Sequence, residues 1–441
     1  MKILAVVLML AAASPVFAQE SRIASDWRRE REHIAASCGE FDLKKLVSCA
    51  TTLVTDYPFH IAVGNLAPQN GFAFGLALSE RYTPNEDWRI SFNADAVAAT
   101  TSSWRAGFYT NFVRTNVALP TATSGSATSS SNAIHTYPVF RLYVQHTTLN
   151  HLVDFGPDFD APVERIFGED QSVAGGSAVL PFNQQAIRGL GAAVIGGMQG
   201  RFIGIHDAPE RDNFFELYED LRLRPSLAGG HVWLNYSGRL QQFFGDTEQS
   251  FHRWTVDLRH EVPLYRTVSS TGPQDFNGPD DCSTTPGGAC PPLTFSRNLG
   301  GSIGFRILAT SSSPFNDGGS VPFYLQPTIG GSDIDGQRLL ANYDDYRFRG
   351  PHVIALQLSF EHSIWGPLGG YLTAERAKAT QLRSDLDFND LLSGYSAGLS
   401  LRAGGAPVAN ASIGWGGSAG HRFIITVDAS LLGGSSRPSL Q

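Results

Sequence analysis

Residues His352–Trp365, HVIALQLSFEHSIW, alternate between apolar and polar side chains along most of their length. The apolar residues share one parity, at Ile354, Leu356, Leu358, Phe360 and Ile364. Small or polar residues share the other parity, at Ala355, Gln357, Ser359, Glu361 and Ser363. Because successive side chains of a β-strand point to opposite faces, this stretch predicts a strand with one apolar and one polar face.

The same alternation recurs on both sides of this stretch. In Phe251–Arg266 the apolar parity holds Trp254, Val256, Leu258, Val262 and Leu264, and the polar parity holds Arg253, Thr255, Asp257, Arg259 and Glu261. It returns in Arg422–Leu432. Alternation is compatible with a soluble sandwich as well as a membrane barrel, so strand length, strand number and compartment must decide between them.

The first residues have the pattern of a secretory signal peptide. Lys2 gives a basic start, Ile3–Ala13 is a short apolar run, and Val16–Ala18 fits a small-x-small cleavage site. No later stretch reaches the roughly 18 apolar residues of a transmembrane helix. An exported chain of this kind enters a membrane only as a closed barrel, and we therefore predict localisation in the bacterial outer membrane.

We predict an all-β fold, a 16-stranded antiparallel transmembrane β-barrel with a short N-terminal helical segment. The predicted division is a signal peptide at 1–18, a periplasmic helical segment at 19–66, the barrel at 67–432 and a tail at 433–441. The predicted strand cores are 71–82, 88–100, 103–116, 137–147, 150–156, 170–182, 186–201, 228–241, 251–265, 294–309, 321–329, 352–365, 369–381, 393–404, 408–417 and 422–432.

Long connections between these strands alternate with tight turns. The long ones are predicted at 117–136, 157–169, 202–227, 266–293 and 330–351. Outer-membrane barrels have short periplasmic turns and longer extracellular loops. We therefore predict that all five long connections face the outside of the cell.

Composition and motifs restrict the function. A formal net charge of -8 argues against nucleic acid as a partner. Gly394–Gly398 matches the nucleophile elbow of hydrolases, but it lies within an alternating strand and lacks the strand–turn–helix setting that the elbow requires. Because no catalytic or metal-ligand constellation stands out, we predict no enzyme activity, cofactor or metal. Outer-membrane lipid and, during biogenesis, the barrel-assembly machinery are the expected partners.

Residues 321–365, VPFYLQPTIGGSDIDGQRLLANYDDYRFRGPHVIALQLSFEHSIW, resemble the sixth-loop region of BamA/TamA-type outer-membrane barrels, the bacterial surface antigen superfamily. In that family a strand ending in Gly-Gly precedes an Arg-Gly-aromatic motif, Arg-Phe-Arg and a strand containing Glu. Residues 153–182 and 394–420 are similar to its third loop with sixth strand and to its closing strands. The resemblance implies protein or lipid assembly or translocation at the outer membrane. A passive channel or a structural surface barrel is the alternative.

The sequence departs from the family at the loop motif. With Arg347–Arg349 aligned on Arg-Phe-Arg, the Arg-Gly-aromatic motif falls on Ala341–Tyr343. The Phe-x-Asp-x-Gly motif of the next strand falls on Tyr371–Glu375, with Thr373 at the Asp position. In the family this Arg and Asp meet inside the lumen and fasten the loop, and here both are missing together. Arg338 is the candidate to replace the missing Arg.

The 330–351 loop is predicted to fold back into the lumen and to keep the resting conductance low. Its cationic end, at Arg347 and Arg349, is expected to pair with lumenal carboxylates such as Glu361 and Asp257, because Coulomb interactions are stronger there than in water. With Arg259 and Glu261, these charges line either a pore or a neutralised wall.

The N-terminal segment is predicted to be helical and to contain two of the four cysteines. About 50 residues separate the signal peptide from the first predicted strand, too few for a complete POTRA domain, which leaves a periplasmic partner as a candidate. Four cysteines allow three connectivities. Cys38 and Cys49 precede the barrel and Cys282 and Cys290 lie in a predicted outer loop, so cross-pairing would have to pass through the membrane. We therefore predict disulfides Cys38–Cys49 and Cys282–Cys290.

Overall fold

The computed structural model describes residues 32, 35, 59–115, 137–156, 159, 162–182, 190–206, 211–227, 232–246, 248–270, 293–365, 368–403, 406–417, 420–427 and 437–441. The chain divides into two units, Met1–His60 and Ile61–Gln441. In the first unit Glu32 and Ala35 are helical. The predicted signal peptide and all four cysteines lie outside the described residues. None of the described helical residues belongs to a helix long and apolar enough to cross a membrane.

Sixteen antiparallel strands form a single, nearly closed barrel from the described residues, and strand makes up 72% of the structure. The barrel strands are β1 (Phe59–Asn65), β2 (Phe72–Asn85), β3 (Trp88–Ala99), β4 (Trp104–Arg114), β5 (Val139–Asp154), β6 (Arg165–Pro181), β7 (Leu190–Ile205), β8 (Arg211–Leu227), β9 (Val232–Phe244), β10 (Phe251–Ser270), β11 (Leu293–Pro314), β14 (His352–Trp365), β15 (Leu368–Thr380), β16 (Leu392–Ala403), β17 (Ala406–Trp415) and β18 (His421–Val427). Each neighbours the next in this order. The two-residue strands β12 (Thr328–Ile329) and β13 (Phe348–Arg349) pair with each other between β11 and β14.

The wall of the barrel is apolar outside and polar inside. Phe74, Leu358 and Phe423 point outward and are 60%, 52% and 67% exposed. Arg201 and Glu216 lie on the inner face, and both are buried. A soluble protein hides its large apolar residues, whereas a membrane barrel presents them to lipid. The alternation in His352–Trp365 and Phe251–Arg266 thus lies in the predicted register, with the apolar parity outward.

The predicted number of strands is confirmed, but two of the predicted strands are not separate barrel strands and two real strands were not predicted. The predicted strands 137–147 and 150–156 are one continuous strand, β5. The predicted strand 321–329 lies inside the barrel and contributes only Thr328–Ile329, to the two-residue strand β12. Two real strands were missed: β1, which begins at Phe59 within the segment predicted to be helical, and β8, which occupies most of the predicted 202–227 loop.

The predicted sidedness of the long connections is also wrong. Because every strand runs antiparallel to its neighbours, successive connections leave from opposite ends of the barrel. The connections between β4 and β5 and between β10 and β11 leave from one end, and the 315–351 connection leaves from the other. We call the latter the inner-loop end. Strand β1 starts at the end opposite to it, as does the connection that holds Cys282 and Cys290, so membrane topology no longer excludes cross-pairing.

Candidate functional site: the lumen and its inner loop

The connection Phe315–Pro351, here called the inner loop, folds into the lumen. Its first part packs Val321, Tyr324 and Leu325 against an apolar patch of the inner wall. That patch consists of Ile203, Phe214, Phe243 and Phe251. Burial of apolar side chains of this size stabilises the loop by about 1.5–3 kcal/mol each. The apolar composition of 321–329 therefore reflects a loop buried within the barrel.

A tight turn at Leu340–Tyr343 is held by a carboxylate of the wall. Glu375 of β15 accepts hydrogen bonds through Oε2 from the backbone N–H groups of Leu340 and Ala341, at 2.5 and 3.2 Å. Gln357 of β14 donates to Oε1 of the same carboxylate at 2.7 Å. Charge-assisted hydrogen bonds are about twice as strong as neutral ones. This wall residue therefore fastens the turn where the predicted family motif falls.

Two wall glycines allow the turn to approach the barrel closely. A Cβ on Gly414 of β17 would lie 2.5 Å from the carbonyl oxygen of Ala341. A Cβ on Gly394 of β16 would meet the side-chain oxygen of Asn342. Asn342 also donates from Nδ2 to the carbonyl oxygen of Gly416 at 2.5 Å. Gly394 thus has a packing role in strand β16, in a setting unlike that of a nucleophile elbow.

Arg338 reaches three strands from within the lumen. It donates from Nη1 to Tyr371 Oη and Ser412 Oγ, each at 3.1 Å, and from Nη2 to Thr426 Oγ1. The acceptors come from β15, β17 and β18. Thr373, at the aligned position of the family's Asp, instead shares a hydrogen bond with Ser396 at 2.6 Å. Arg338 thus contacts the wall through neutral hydroxyl groups.

An ion pair connects the inner loop to the last barrel strand. Arg422 of β18 binds Asp345 in a bidentate manner, with Nη1–Oδ1 and Nη2–Oδ2 distances of 2.9 and 2.6 Å. Asp345 Oδ1 also accepts the backbone N–H of Ser332 at 2.8 Å. Gly330 and Gly331, with φ of 98° and 58°, form the bend before Ser332. The bidentate pair fixes this bend against the wall.

The cationic end of the loop pairs differently from the prediction. Arg349 forms an ion pair with Asp154 of β5 at 3.2 Å. Arg347 donates to the carbonyl oxygen of Phe159 at 2.9 Å, and its guanidinium lies 4.8 Å from the ring centroid of Phe348. The predicted partner Asp257 is bound elsewhere, by arginines of the wall itself.

Two carboxylates of the wall are each shared by two arginines. Asp257 contacts Arg259 at 2.7 Å and Arg306 at 2.9 Å. Asp220 contacts Arg222 at 3.0 Å and Arg239 at 3.4 Å. Each triad carries one net positive charge, and Asp333 and Asp335 of the inner loop line the same cavity as these arginines. Glu261 lies on the same inner face of β10, and Glu361 lines a cavity of about 710 Å³ beside the tip of the inner loop.

The tip of the inner loop carries Asp333 and Asp335, and Asp335 contacts a separate segment of the chain. Asp335 accepts hydrogen bonds from Ser439 Oγ at 2.5 Å and from the backbone N–H of Leu440 at 3.0 Å. Burial and the neighbouring Asp335 raise the pKa of Asp333 to about 8.

The described residues hold no group of three or more His, Cys, Asp or Glu side chains suited to a metal ion. The four cysteines of the predicted disulfides lie outside the described residues, and their pairing stays a prediction. Sequence reasoning missed Glu375, Asp345, Arg422 and Asp154. The alternation along β15 and β18 places Glu375 and Arg422 on the polar face of their strands and could have identified them. No sequence signal specified the loop residues that contact them.

Solved structures with a similar architecture were found for the barrel. CdiB from Escherichia coli matches with a TM-score of 0.50 at 11% identity, covering 85% of this chain and 60% of that one. This is the fold of the BamA/TamA-type outer-membrane barrels. For CdiB from Acinetobacter baumannii the TM-score is 0.46 at 12% identity, covering 84% of this chain and 59% of that one. BamA from Haemophilus ducreyi lacking POTRA domains 1-3 gives 0.47 at 10%, covering 84% and 69%.

The BamA/TamA-type fold is supported by architecture and not by sequence similarity. No family model matches the sequence, and no curated protein matches it. The chain spans about 60% of the length of the CdiB structures that it matches. The similarity therefore establishes the fold, and function has to be argued from the lumen.

Proposed function

We propose that this chain is an outer-membrane barrel that assembles or translocates protein or lipid, with the inner loop as its movable plug. The observation that carries the proposal is that a long loop lies inside the lumen, held by polar contacts as well as by the apolar packing of its first part. Glu375, Arg422 and Asp154 anchor it from three different strands. These polar contacts can be replaced by water, and none of them is a backbone pairing of the wall, so release of the loop would leave the strand pairing intact.

The apolar outer face and the fold of the structural neighbours support a location in the outer membrane. In that location the barrel-assembly machinery would act on the chain during its biogenesis, and outer-membrane lipid would surround the wall. A periplasmic partner would deliver the client. We propose no catalytic role for the lumenal carboxylates, because hydrogen bonds to the loop or to wall arginines account for the contacts of Glu375 and Asp257.

A passive channel is the second candidate, and the cationic wall favours it. Five arginines and four aspartates line a cavity of about 210 Å³ in the lumen, which is a formal excess of one positive charge. A water-filled path lined in this way would favour small anions. A structural barrel without transport would need neither a removable loop nor this charge asymmetry.

Deletion of residues 333–346 separates these functions. If the inner loop is a plug, single-channel conductance in planar bilayers rises severalfold while circular dichroism still reports a β-barrel. A passive channel already conducts with the loop in place, so its conductance changes little. The assembly role is measured separately, as the rate at which a small outer-membrane barrel folds into liposomes with or without this protein.

Controls make this assay decisive. Liposomes with an unrelated porin at the same protein-to-lipid ratio correct for packing defects, which accelerate folding by themselves. A rate no higher than that control would reject the assembly role. A severalfold acceleration that Arg422→Ala alters, through loss of the ion pair with Asp345, would link the activity to the loop.

A further inference from the structure

Residues Arg437–Gln441, here called the lumenal segment, lie inside the barrel in contact with strands far from them in sequence. Arg437 pairs with Asp95, with Nη2–Oδ2 and Nε–Oδ2 distances of 2.7 and 3.2 Å. Asp95 lies in the middle of β3, and its side chain is 2% exposed. Arg105 of β4 also contacts Asp95, at 3.3 Å, so Arg437 is recognised by a buried carboxylate that it shares with an arginine of the wall.

Side chains of the wall and the loop recognise the backbone of the lumenal segment. Gln171 of β6 donates from Nε2 to the carbonyl oxygen of Leu440 at 3.1 Å. Asp335 accepts the backbone N–H of the same residue at 3.0 Å and the hydroxyl of Ser439 at 2.5 Å. Backbone contacts of this kind bind an extended peptide largely independently of its sequence.

An apolar pocket receives the fourth residue of the segment. Leu440 is 8% exposed and belongs to a buried cluster with Ile334 and Tyr346 of the inner loop and Val153 and Phe167 of the wall. A fully enclosed aliphatic side chain is an anchor of the kind that dominates binding energy in interfaces. Asp95, Gln171, Asp335 and this pocket together form a complete site for a short peptide.

We propose that this site binds an extended peptide segment of a client protein and that the lumenal segment occupies it in cis. The ligand would have a cationic residue, a hydroxyl residue two positions later and an aliphatic residue immediately after it. Because Asp335 belongs to both the site and the tip of the inner loop, whichever segment occupies the site also contacts the tip. This inference rests on the proposed function, in which the client is a protein.

Peptide binding to a barrel without the lumenal segment tests the proposal. The probe is the labelled pentapeptide Arg-Pro-Ser-Leu-Gln with both ends blocked, titrated by fluorescence anisotropy against protein in nanodiscs. The barrel lacking residues 433–441 should bind it saturably, and the full chain about tenfold more weakly or worse, because its own segment competes. A folded deletion variant that does not bind would overturn the proposal, as would equal binding by the full chain.

Matched variants keep the result interpretable. In the deletion background Asp95→Asn should weaken binding about tenfold, because it removes the charge that Arg437 contacts. Asp387→Asn, in the exposed connection between β15 and β16, should leave binding unchanged. If the deletion variant does not fold, Leu440→Asp in the full chain ejects the segment and should increase peptide binding to the same extent. These readouts are independent of conductance and client folding, so this inference and the proposed function fail separately.

Discussion

Single residues decide whether the inner loop stays inside the barrel. Glu375 accepts hydrogen bonds from two backbone N–H groups that lie in a tight turn. Leu340, at this turn, has a φ of 57°, a conformation rarely adopted by a residue with a branched side chain. The carboxylate thus offsets local strain, and its removal should destabilise the turn before any other part of the barrel.

Glu375→Ala should release the turn while the barrel stays folded. Loss of a hydrogen bond to a charged group costs about 1.5–3 kcal/mol. Amide exchange at Leu340 and Ala341 should therefore accelerate by about ten- to a hundredfold, measured by hydrogen–deuterium exchange. Glu375→Gln keeps one acceptor and should give an intermediate rate. Unchanged exchange in Glu375→Ala would mean that packing alone holds the turn.

Asp333 should make the stability of the barrel dependent on pH. Its pKa is raised from 3.8 to about 8 in the folded chain, so the folded state holds a proton that the unfolded state releases between these values. The stabilising contribution is full below pH 4 and is lost as the pH rises to 8, with a slope of up to about 1.4 kcal/mol per pH unit. The charged groups that face it are Asp335, Arg306, Arg259, Arg239, Asp257 and Asp220.

The measurement is urea unfolding in detergent from pH 4 to 9, on the wild type and on Asp333→Asn. The variant cannot titrate at this position, so the difference between the two proteins isolates Asp333 from the other carboxylates. A difference that is flat across this range would show that Asp333 is ionised in the folded barrel.

Each strand of the barrel has an outward face and an inward face. In β14, Leu358 faces outward, whereas Ser359 faces the cavity beside the tip of the inner loop. In β17, Gly414 is buried on the inner face under the turn of the loop. Adjacent residues of one strand thus lie on opposite faces of the wall, and substitutions at adjacent positions should have unrelated effects.

Leu358→Arg should destabilise the barrel by about 2–4 kcal/mol, because it places a cation near the middle of the lipid-facing band. Ser359→Arg introduces the same side chain into a water-accessible cavity and should be milder. Urea unfolding of both variants in lipid vesicles gives the comparison. A larger loss for Ser359→Arg would reverse the assignment of the two faces.

Gly414→Val should displace the turn at Leu340–Tyr343. The added Cβ meets the backbone of Ala341, which has no flexible side chain to move aside. We expect a higher single-channel conductance and faster proteolysis of the loop. Gly238→Val in β9 is the matched control, because a Cβ there lies in open space. Equal behaviour of the two variants would argue that the turn tolerates the displacement.

The whole molecule has two unlike ends, and the order of the strands fixes which connection leaves from which end. Connections 315–351 and 381–391 leave from the inner-loop end, and 271–292 leaves from the opposite end. The family resemblance implies that the inner-loop end faces outside. The strand order places the predicted outer loops 330–351 and 266–293 at opposite ends of the barrel, so they do not both face outside as predicted.

An epitope inserted in 381–391 should be labelled on intact cells by an antibody. One inserted in 271–292 should be labelled only after the outer membrane is permeabilised. The physical reason is the odd number of strands between the two connections. Labelling of both epitopes on intact cells would contradict the strand order.

The sequence predicted the class of fold because alternation is a local property that a window of ten residues reveals. It missed β8 because Glu216, Asp220 and Arg222 face the lumen and Glu219 interrupts the outer face, so the segment resembles a polar loop. Residues 321–329 were predicted to be a strand because they are mostly apolar, although they pack inside the barrel. The partners of Arg349 and Asp345 depend on long-range geometry and could not be inferred from spacing.

The contact between Arg437 and Asp95 joins residues that are 342 positions apart. Closing a loop of that size costs conformational entropy. The ion pair offsets this cost only when the part of the wall that carries Asp95 has already formed. The order of folding follows from this: neighbouring strands pair first, and the lumenal segment binds last. Refolding from urea should therefore show fast closure of the barrel and then a slower maturation phase, which disappears when residues 433–441 are deleted. Each newly made molecule would therefore pass through a transient state in which the barrel is closed and the lumenal segment is not yet bound.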